Sequence, residues 1–138
     1  MEKKVLSWTD IHSAIDALSS KLADIRPLYI TGKSRGGLIP AVMLSHKTGV
    51  PYIDLSQAVQ MHEDVRKRIV LVDDISDTGE TFKMLQNYHF ITTALHTRYS
   101  TSFHPDYTSI EVKDDRWIVY PWEDKNAKRV QNYLEFTD

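Results

Sequence analysis

Two adjacent carboxylates and a hydroxyl-rich turn lie close together in the middle of the chain. The apolar run Ile69 to Val72 leads into Asp73 and Asp74, and the turn Asp77-Thr78-Gly79-Glu80-Thr81 follows. Backbone N–H groups and two hydroxyls that converge where a helix begins favour a bound anion. Carboxylates repel a phosphate, so the acidic pair is better suited to sugar hydroxyls or to a divalent cation. The stretch as a whole predicts a site for a sugar phosphate.

A second loop with anion-binding features follows the apolar stretch Leu28 to Thr31. Gly36 and Gly37 precede a helical pattern, so the backbone there can approach a ligand closely. Lys33 and Arg35 add cationic donors that suit phosphate. A glycine turn with an incidental solvated arginine would explain this loop if it stood alone. Beside the first motif that explanation is weaker, and we predict a second anion site.

Rival readings of these stretches are less satisfactory. A calcium loop starting at Asp73 would need glycine at its sixth position, which is Thr78, and a closing glutamate. A nucleotide-binding P-loop ending at Gly32 would need another glycine where Pro27 stands. No two histidines share metal-ligand spacing on a predicted helix. A buried strand with a solvated acidic turn would account for residues 69–74 and leave the turn after them unexplained.

The spacing of apolar residues predicts the elements that position these loops. Ser7 has capping-box spacing to Asp10, and we expect Trp8 to be a hydrophobic staple or core residue and Trp122 to be a core residue. Short strands alternating with helices indicate an α/β protein whose parallel sheet has helices on both faces and binds ligands at its carboxyl edge. The predicted strands are Leu28–Thr31, Tyr52–Leu55, Ile69–Asp74 and Phe90–Leu95, and the predicted helices follow Ser7, cover Leu38–Thr48, begin near Phe82 and cover Glu123–Phe136.

Composition narrows the classes of protein to consider. The 138 residues suit a single domain over 1–138, and a net charge of −2 gives no basic field for nucleic acid. The chain has no cysteine, no signal-peptide pattern at its N-terminus and no apolar run of the length that spans a membrane. We expect a cytoplasmic protein with no nucleic-acid or membrane partner.

Three segments of the sequence carry a family resemblance. The run Val70 to Phe82 resembles, along its whole length, the phosphoribosyl-diphosphate-binding motif of the type I phosphoribosyltransferases. Ser34-Arg35-Gly36-Gly37 resembles the pyrophosphate loop of the purine enzymes, and Trp117 to Glu123 resembles the W-I-V-F-P-W-E segment of those acting on xanthine, guanine and hypoxanthine. The resemblance implies a Rossmann-like, twisted parallel sheet with a small, shortened hood. It also implies transfer of phosphoribose from phosphoribosyl diphosphate to a purine base with Mg²⁺, and we expect a homodimer or homotetramer.

The resemblance also implies roles for individual residues. The 5′-phosphate would bind Thr78, Gly79 and Thr81, in the turn that also contains Glu80. The ribose hydroxyls and Mg²⁺ would bind Asp73 and Asp74, and the pyrophosphate would bind the loop Ser34 to Gly37. Trp117 would stack on the purine, and the backbone of Ile118 would hydrogen-bond to the edge of the purine. Arg98 stands at the position where the enzymes acting on xanthine, guanine and hypoxanthine have a lysine that binds the exocyclic oxygen of the purine. Asp77 is our candidate to accept the proton of the base, with a capping role in the turn as the alternative.

The segment 56–68 departs from the family pattern. Family members carry a flexible closing loop here, commonly with a Ser-Tyr pair, whereas this connection is short and lacks that pair. We expect Arg66, Lys67 and Arg68 to form a solvated face. Closure excludes water from a reactive intermediate, so a second hypothesis is a nucleotide-sensing or regulatory module without turnover. A third is the same chemistry on a base other than a purine.

Overall fold

The computed structural model of the protein describes residues 2–33 and 35–124, and strands alternate with helices through most of that length. In chain order the elements are β1 (Lys3–Val5), α1 (Trp8–Leu22), β2 (Tyr29–Gly32), α2 (Leu38–Thr48), α3 (Leu55–Ala58), α4 (Glu63–Arg66), β3 (Ile69–Ser76), α5 (Glu80–Leu85), a 3-10 turn (Gln86–Tyr88), β4 (Ile91–Arg98), β5 (Tyr107–Val112) and β6 (Trp117–Val119).

A parallel sheet with the order β2-β3-β4-β5 organises the described residues. Its register pairs Tyr29 with Ile69 and Val70 with Ile91, and every ladder in it is parallel. Because all four strands run the same way, their carboxyl ends lie at one edge. That edge brings together the acidic end of β3, the loop after β2 and the last residue of β4, which is Arg98.

Helices cover both faces of this sheet, as predicted. Alternate residues of β3 enter two separate apolar clusters, Val70 and Val72 on one face and Ile69 and Leu71 on the other. Helices α1 and α2 close the first face, while α3 and α5 close the second. Each fully buried leucine or isoleucine here contributes about 1.5–3 kcal/mol, so the two clusters hold the sheet and its site-bearing edge in place.

The first helix begins as its sequence indicates. The Ser7 side chain accepts a hydrogen bond from the Asp10 N–H at 3.1 Å, and Asp10 accepts one from the Ser7 N–H at 2.8 Å. The expectation for Trp8 is wrong, because its side chain is 48% exposed and its ring contacts Trp122 at a centroid distance of 6.0 Å. Leu6 and Ile11, both buried, occupy the two staple positions that flank the cap instead.

The predicted strand over 52–55 is also wrong. Tyr52 makes one isolated parallel bridge with Ile30, and α3 begins directly afterwards. The reason is local, since Asp54 and Gln57 form a reciprocal capping box that starts a helical turn. Arg66 is not solvated as predicted either, because it donates to the carbonyls of Met61 and Tyr88.

A second, two-stranded parallel sheet pairs β1 with β6, with Lys3 opposite Trp117. This sheet carries Trp117 and corresponds to the small hood that the resemblance implied. Strand β1 was not expected, since its three residues are all exposed and show no apolar alternation. The predicted helix over 123–136 lies almost wholly outside the described residues. Among the helices that the structure describes, none combines the length and apolarity needed to cross a bilayer.

Candidate active site

A cleft of about 430 Å³ opens at the carboxyl edge of the main sheet. Its walls come from the end of β3 and the following turn, from the loop after β2, from the end of β4 and from the β6 segment. Most of the predicted site residues line it, namely Arg35, Gly36, Asp73, Asp74, Asp77, Thr78, Gly79, Glu80, Thr81, Arg98, Trp117 and Ile118. Of the remaining two, Ser34 lies outside the described residues, and Gly37 is not part of the lining.

The hydroxyl-rich turn adopts the shape of an anion cradle. Gly79 has φ +89°, a left-handed conformation that disfavours any residue with a Cβ atom, and it caps the N-terminus of α5. The Thr78 hydroxyl accepts a hydrogen bond from the Glu80 N–H at 3.3 Å. Because α5 has only six residues, its dipole is short, and attraction for an anion comes mainly from the N–H groups of the turn itself.

The loop between β4 and β5 holds this turn from behind, and sequence reasoning missed it. Ser102 donates its N–H to the Thr78 carbonyl at 3.2 Å, and the Ser76 hydroxyl donates to the Phe103 carbonyl at 2.7 Å. The rings of Phe82 and Phe103 stack with centroids 5.4 Å apart. These contacts join residues more than twenty positions apart, so the only signal in the sequence is the run of short hydroxyl side chains at 100–102.

The acidic pair is buried at the end of β3. Asp73 and Asp74 are 1% and 6% exposed, and strand alternation directs them to opposite faces of the sheet. Each accepts a backbone hydrogen bond at 2.8 Å, from the Asp74 N–H and the Ile75 N–H respectively. Burial, together with the neighbouring Asp73 carboxylate, raises the pKa of the Asp74 carboxyl well above its usual value. A bound hydroxyl or cation would relieve this burial of negative charge.

A tyrosine and a histidine support the acidic pair from inside the protein. The Tyr120 hydroxyl donates to the Asp74 carbonyl at 3.0 Å and lies 2.9 Å from His96 Nδ1. Burial, followed by the charges of Lys4 and Arg98, lowers the pKa of His96 to about 4. Burial also raises the pKa of Tyr120 well above its usual value. Because the Tyr120 hydrogen is donated to the Asp74 carbonyl, a neutral His96 bonded to this hydroxyl donates from Nδ1. Sequence reasoning did not identify either residue.

The diglycine loop has one glycine facing the cleft and one facing the sheet. Arg35 and Gly36 line the cleft, as predicted. The Gly37 N–H instead donates to the Lys33 carbonyl at 2.8 Å, and a Cβ atom at Gly37 would collide with the Val72 carbonyl. The Gly37 N–H is thus engaged within the loop, and its contact with pyrophosphate stays a prediction. The lack of a side chain at Gly37 lets the loop pack on β3.

The aromatic end of the cleft is formed by Trp117 and Trp122. Lys3 Nζ lies 4.9 Å from the centroid of the Trp117 ring, a cation–π contact made by the strand that pairs with β6. Trp122 packs half-buried against the first apolar cluster, in keeping with the expected core position. It also lines the cleft and stacks on Tyr120 at 4.9 Å. Flat apolar rings at this end suit a planar base.

Arg98 lines the cleft and is held there by acceptors of the protein itself. Its side chain is 5% exposed, and its Nε donates to Asp77 Oδ1 at 3.2 Å. The two terminal nitrogens donate to the carbonyls of Asp114, at 3.0 Å, and Arg116, at 2.5 Å. Three protein acceptors therefore engage the guanidinium, and donation to an exocyclic oxygen of a base stays a prediction.

The carboxylates of Asp73 and Asp74 fit a Mg²⁺ ion that is shared with a ligand. No group of three or more His, Cys, Asp or Glu residues within the described ranges could hold a metal by itself. Mg²⁺ is typically bound by one or two carboxylates together with substrate phosphates and waters. Two adjacent carboxylates at the cleft, with hard oxygen donors, match that arrangement.

Comparison with known proteins identifies the family. A xanthine-guanine phosphoribosyltransferase from Chromohalobacter salexigens is 31% identical over 135 residues, with 86% of this chain and 82% of that protein covered. A purine phosphoribosyltransferase from Pyrococcus horikoshii superposes with a TM-score of 0.77 at 32% identity, over 94% of this chain and 100% of that one.

The same fold occurs in a hypothetical protein from Neisseria gonorrhoeae with bound ppGpp, with a TM-score of 0.71 at 22% identity over 91% of each chain. None of the family models compared with the sequence matches it. The two relatives above 30% identity cover nearly the whole chain, and their names agree with the motifs and with the fold. The chain therefore belongs to the type I phosphoribosyltransferases, on the side of the family that acts on purines.

Proposed function

We propose that the protein transfers phosphoribose from phosphoribosyl diphosphate to guanine, xanthine or hypoxanthine, releasing pyrophosphate, in purine salvage. It would act in the cytoplasm, with Mg²⁺, as a homodimer or homotetramer. One observation carries the proposal: the hydroxyl-rich turn, the acidic pair, the Arg35-Gly36 loop and Trp117 all line the same cleft. Such a cleft offers a place to each part of the donor and to a flat acceptor.

The donor would bind with its two charged ends on the two loops. The 5′-phosphate accepts hydrogen bonds from the N–H groups of residues 78–81, where the lack of a side chain at Gly79 lets Ser102 and Phe103 pack behind the turn. The pyrophosphate meets the Arg35 guanidinium and the Gly36 backbone. The ribose hydroxyls donate to Asp73 and Asp74, and these hydrogen bonds are strong because both carboxylates are buried away from water.

Asp73 and Asp74 would hold Mg²⁺ together with the donor, and the ion would supply positive charge that offsets the charge of the leaving pyrophosphate. The protein's own contribution is orientation. Backbone hydrogen bonds from Asp74 and Ile75 fix the two carboxylates, and the Tyr120 hydroxyl fixes the carbonyl behind them. These contacts are in place before a ligand binds, so little reorganisation is needed when the donor arrives.

In the chemical step, the bond between the anomeric carbon and pyrophosphate breaks and its electron pair leaves with pyrophosphate. The purine, stacked on Trp117, donates an electron pair from a ring nitrogen to form the new carbon–nitrogen bond. Asp77, 20% exposed at the cleft, accepts the proton that this nitrogen loses. The ion pair with Arg98 holds the Asp77 carboxylate in one orientation for that transfer.

A second candidate function is nucleotide sensing without turnover, and the segment before β3 favours it. Helices α3 and α4 occupy this segment, and Ala58 lies fully buried in the second apolar cluster. A segment packed in this way is not free to close over the cleft as a mobile loop would. Weak exclusion of water would favour a binding role over fast transfer.

One assay separates the two functions. Pure protein is incubated with phosphoribosyl diphosphate, Mg²⁺ and one base at a time, and pyrophosphate release is followed with guanine, xanthine, hypoxanthine, adenine, uracil and orotate. A transferase for the proposed purines releases pyrophosphate with at least one of the first three. Release with uracil or orotate alone would establish the same chemistry on another base. Calorimetric binding of ppGpp or a nucleoside monophosphate, with no pyrophosphate released from any base, would establish the sensor.

A further inference from the structure

Arg98 is a buried cation with an unusual set of acceptors. It is the last residue of β4, and its side chain is 5% exposed. A buried guanidinium needs both a counter-charge and hydrogen-bond acceptors, because desolvation penalises every N–H that is left unpaired. Within the described residues, the Asp77 carboxylate supplies a counter-charge at 3.2 Å, and the Asp114 carboxylate supplies a second one at 3.8 Å. Two main-chain carbonyls supply further acceptors.

These acceptors come from two segments of the chain, and each segment contributes residues to the walls of the cleft, Asp77 in one and Trp117 in the other. Asp77 begins the phosphate turn, whereas Asp114 and Arg116 belong to the bend that leads into Trp117. The bend is itself closed by the Arg116 N–H, which donates to Asp114 Oδ1 at 3.1 Å. That hydrogen bond closes the bend whose carbonyls accept from the terminal nitrogens of Arg98.

We infer that Arg98 is a positioning residue that fixes Asp77 relative to Trp117, and that it does not read the exocyclic oxygen of the base. The inference rests on the proposed function for the roles of Asp77 and Trp117. A planar fork with donors at fixed angles is needed to reach acceptors on both sides at once. Lysine, with one nitrogen, cannot span them, which explains an arginine at a position where the resemblance implies lysine.

The test compares Arg98→Lys and Arg98→Gln with Arg116→Lys. Arg116 is a matched control, since it is also an arginine of this bend, but its side chain is 39% exposed and pairs at the surface with Asp114 Oδ2. Hydrogen exchange of the backbone amides at 113–117 is measured on each folded variant. We expect exchange to accelerate by about tenfold or more with either Arg98 substitution and to stay unchanged with Arg116→Lys.

Kinetics distinguish positioning from base reading. The substrates are hypoxanthine and 6-mercaptopurine, which differ only in the exocyclic acceptor. If Arg98 positions Asp77, both substitutions of Arg98 should lower kcat for both substrates by about tenfold to a hundredfold. The ratio of the two kcat/KM values should stay within about twofold of the ratio in the unsubstituted protein, and Arg98→Lys should not restore kcat. Selective loss of hypoxanthine turnover in Arg98→Gln, with rescue in Arg98→Lys, would overturn the inference.

A further variant keeps the test decisive if the Arg98 variants fail to fold. Asp77→Asn perturbs only the phosphate-turn side, and exchange at 113–117 should still accelerate, because the two segments share one guanidinium. Unchanged exchange there would refute the coupling. Hydrogen exchange does not depend on turnover. If the protein is inactive with every base, the proposed function is refuted, and the exchange data still test whether Arg98 couples the turn at Asp77 to the bend at 113–117.

Discussion

Replacing Gly79 by alanine tests whether the loop at 99–103 sets the shape of the phosphate turn. Two penalties act at this position. The positive φ of +89° is unfavourable for alanine by about 1–2 kcal/mol. A Cβ atom would also lie 2.7 Å from the Phe103 nitrogen and 2.9 Å from the Ser102 hydroxyl oxygen, and such overpacking costs about 1–3 kcal/mol. We expect the free energy of unfolding to fall by about 2–5 kcal/mol.

Gly49→Ala provides the matched control. Gly49 also has a positive φ, +77°, at the end of α2, but nothing lies within 4 Å of the added Cβ atom. That variant should lose only the conformational part, about 1–2 kcal/mol. The difference between the two variants in urea unfolding isolates the contact with the 99–103 loop.

Ligand binding completes this test. Calorimetry with a purine nucleoside 5′-monophosphate should show weaker binding to Gly79→Ala, because the turn and the loop behind it must move apart. Binding to Gly49→Ala should match that of the unsubstituted protein. Equal loss of stability in both variants, or unchanged binding to Gly79→Ala, would refute the claim that the loop shapes the turn.

The remaining predictions concern the proton acceptor, the base platform and the histidine. Asp77→Asn should keep the fold and slow transfer in single-turnover measurements; an unchanged rate would remove Asp77 from the mechanism. Trp117→Ala should weaken binding of the base by about 1–3 kcal/mol and leave binding of phosphoribosyl diphosphate nearly unchanged, as measured by calorimetry. The pKa of His96 falls from 6.5 to about 4 on folding, so the unfolded chain takes up the proton first as the pH drops. The free energy of unfolding should therefore decline between about pH 6.5 and pH 4, by up to about 3 kcal/mol, and His96→Asn should flatten that part of the profile. If the free energy of unfolding of His96→Asn declines just as steeply over this pH range, groups other than His96 cause the decline.

Local sequence patterns predicted the elements that carry the site. The apolar run that becomes β3 and the capping box at Ser7 act through neighbours in the chain, and both are confirmed. The strand expected at 52–55 failed for the same kind of reason, since the capping box of Asp54 and Gln57 outweighed a short apolar pattern. Strand β1 gave no signal because all its residues are exposed.

Contacts between distant segments could not be predicted from spacing. The bonds from Arg98 to Asp77 and to the bend before Trp117 join positions 16 to 21 residues apart. The Tyr120 hydroxyl reaches Asp74 across 46 positions. Residue type alone indicates that a buried arginine or tyrosine needs partners, but only the packing of the strands decides which partners it meets.

The most direct measurement is a crystal structure of the protein soaked with phosphoribosyl diphosphate and Mg²⁺. The account predicts the 5′-phosphate within hydrogen-bond distance of the N–H groups of residues 78–81. It also predicts the ribose hydroxyls at Asp73 and Asp74, and the pyrophosphate at Arg35 and Gly36. Donor density outside this cleft, or a donor in the cleft with its 5′-phosphate away from the turn at 78–81, would contradict it.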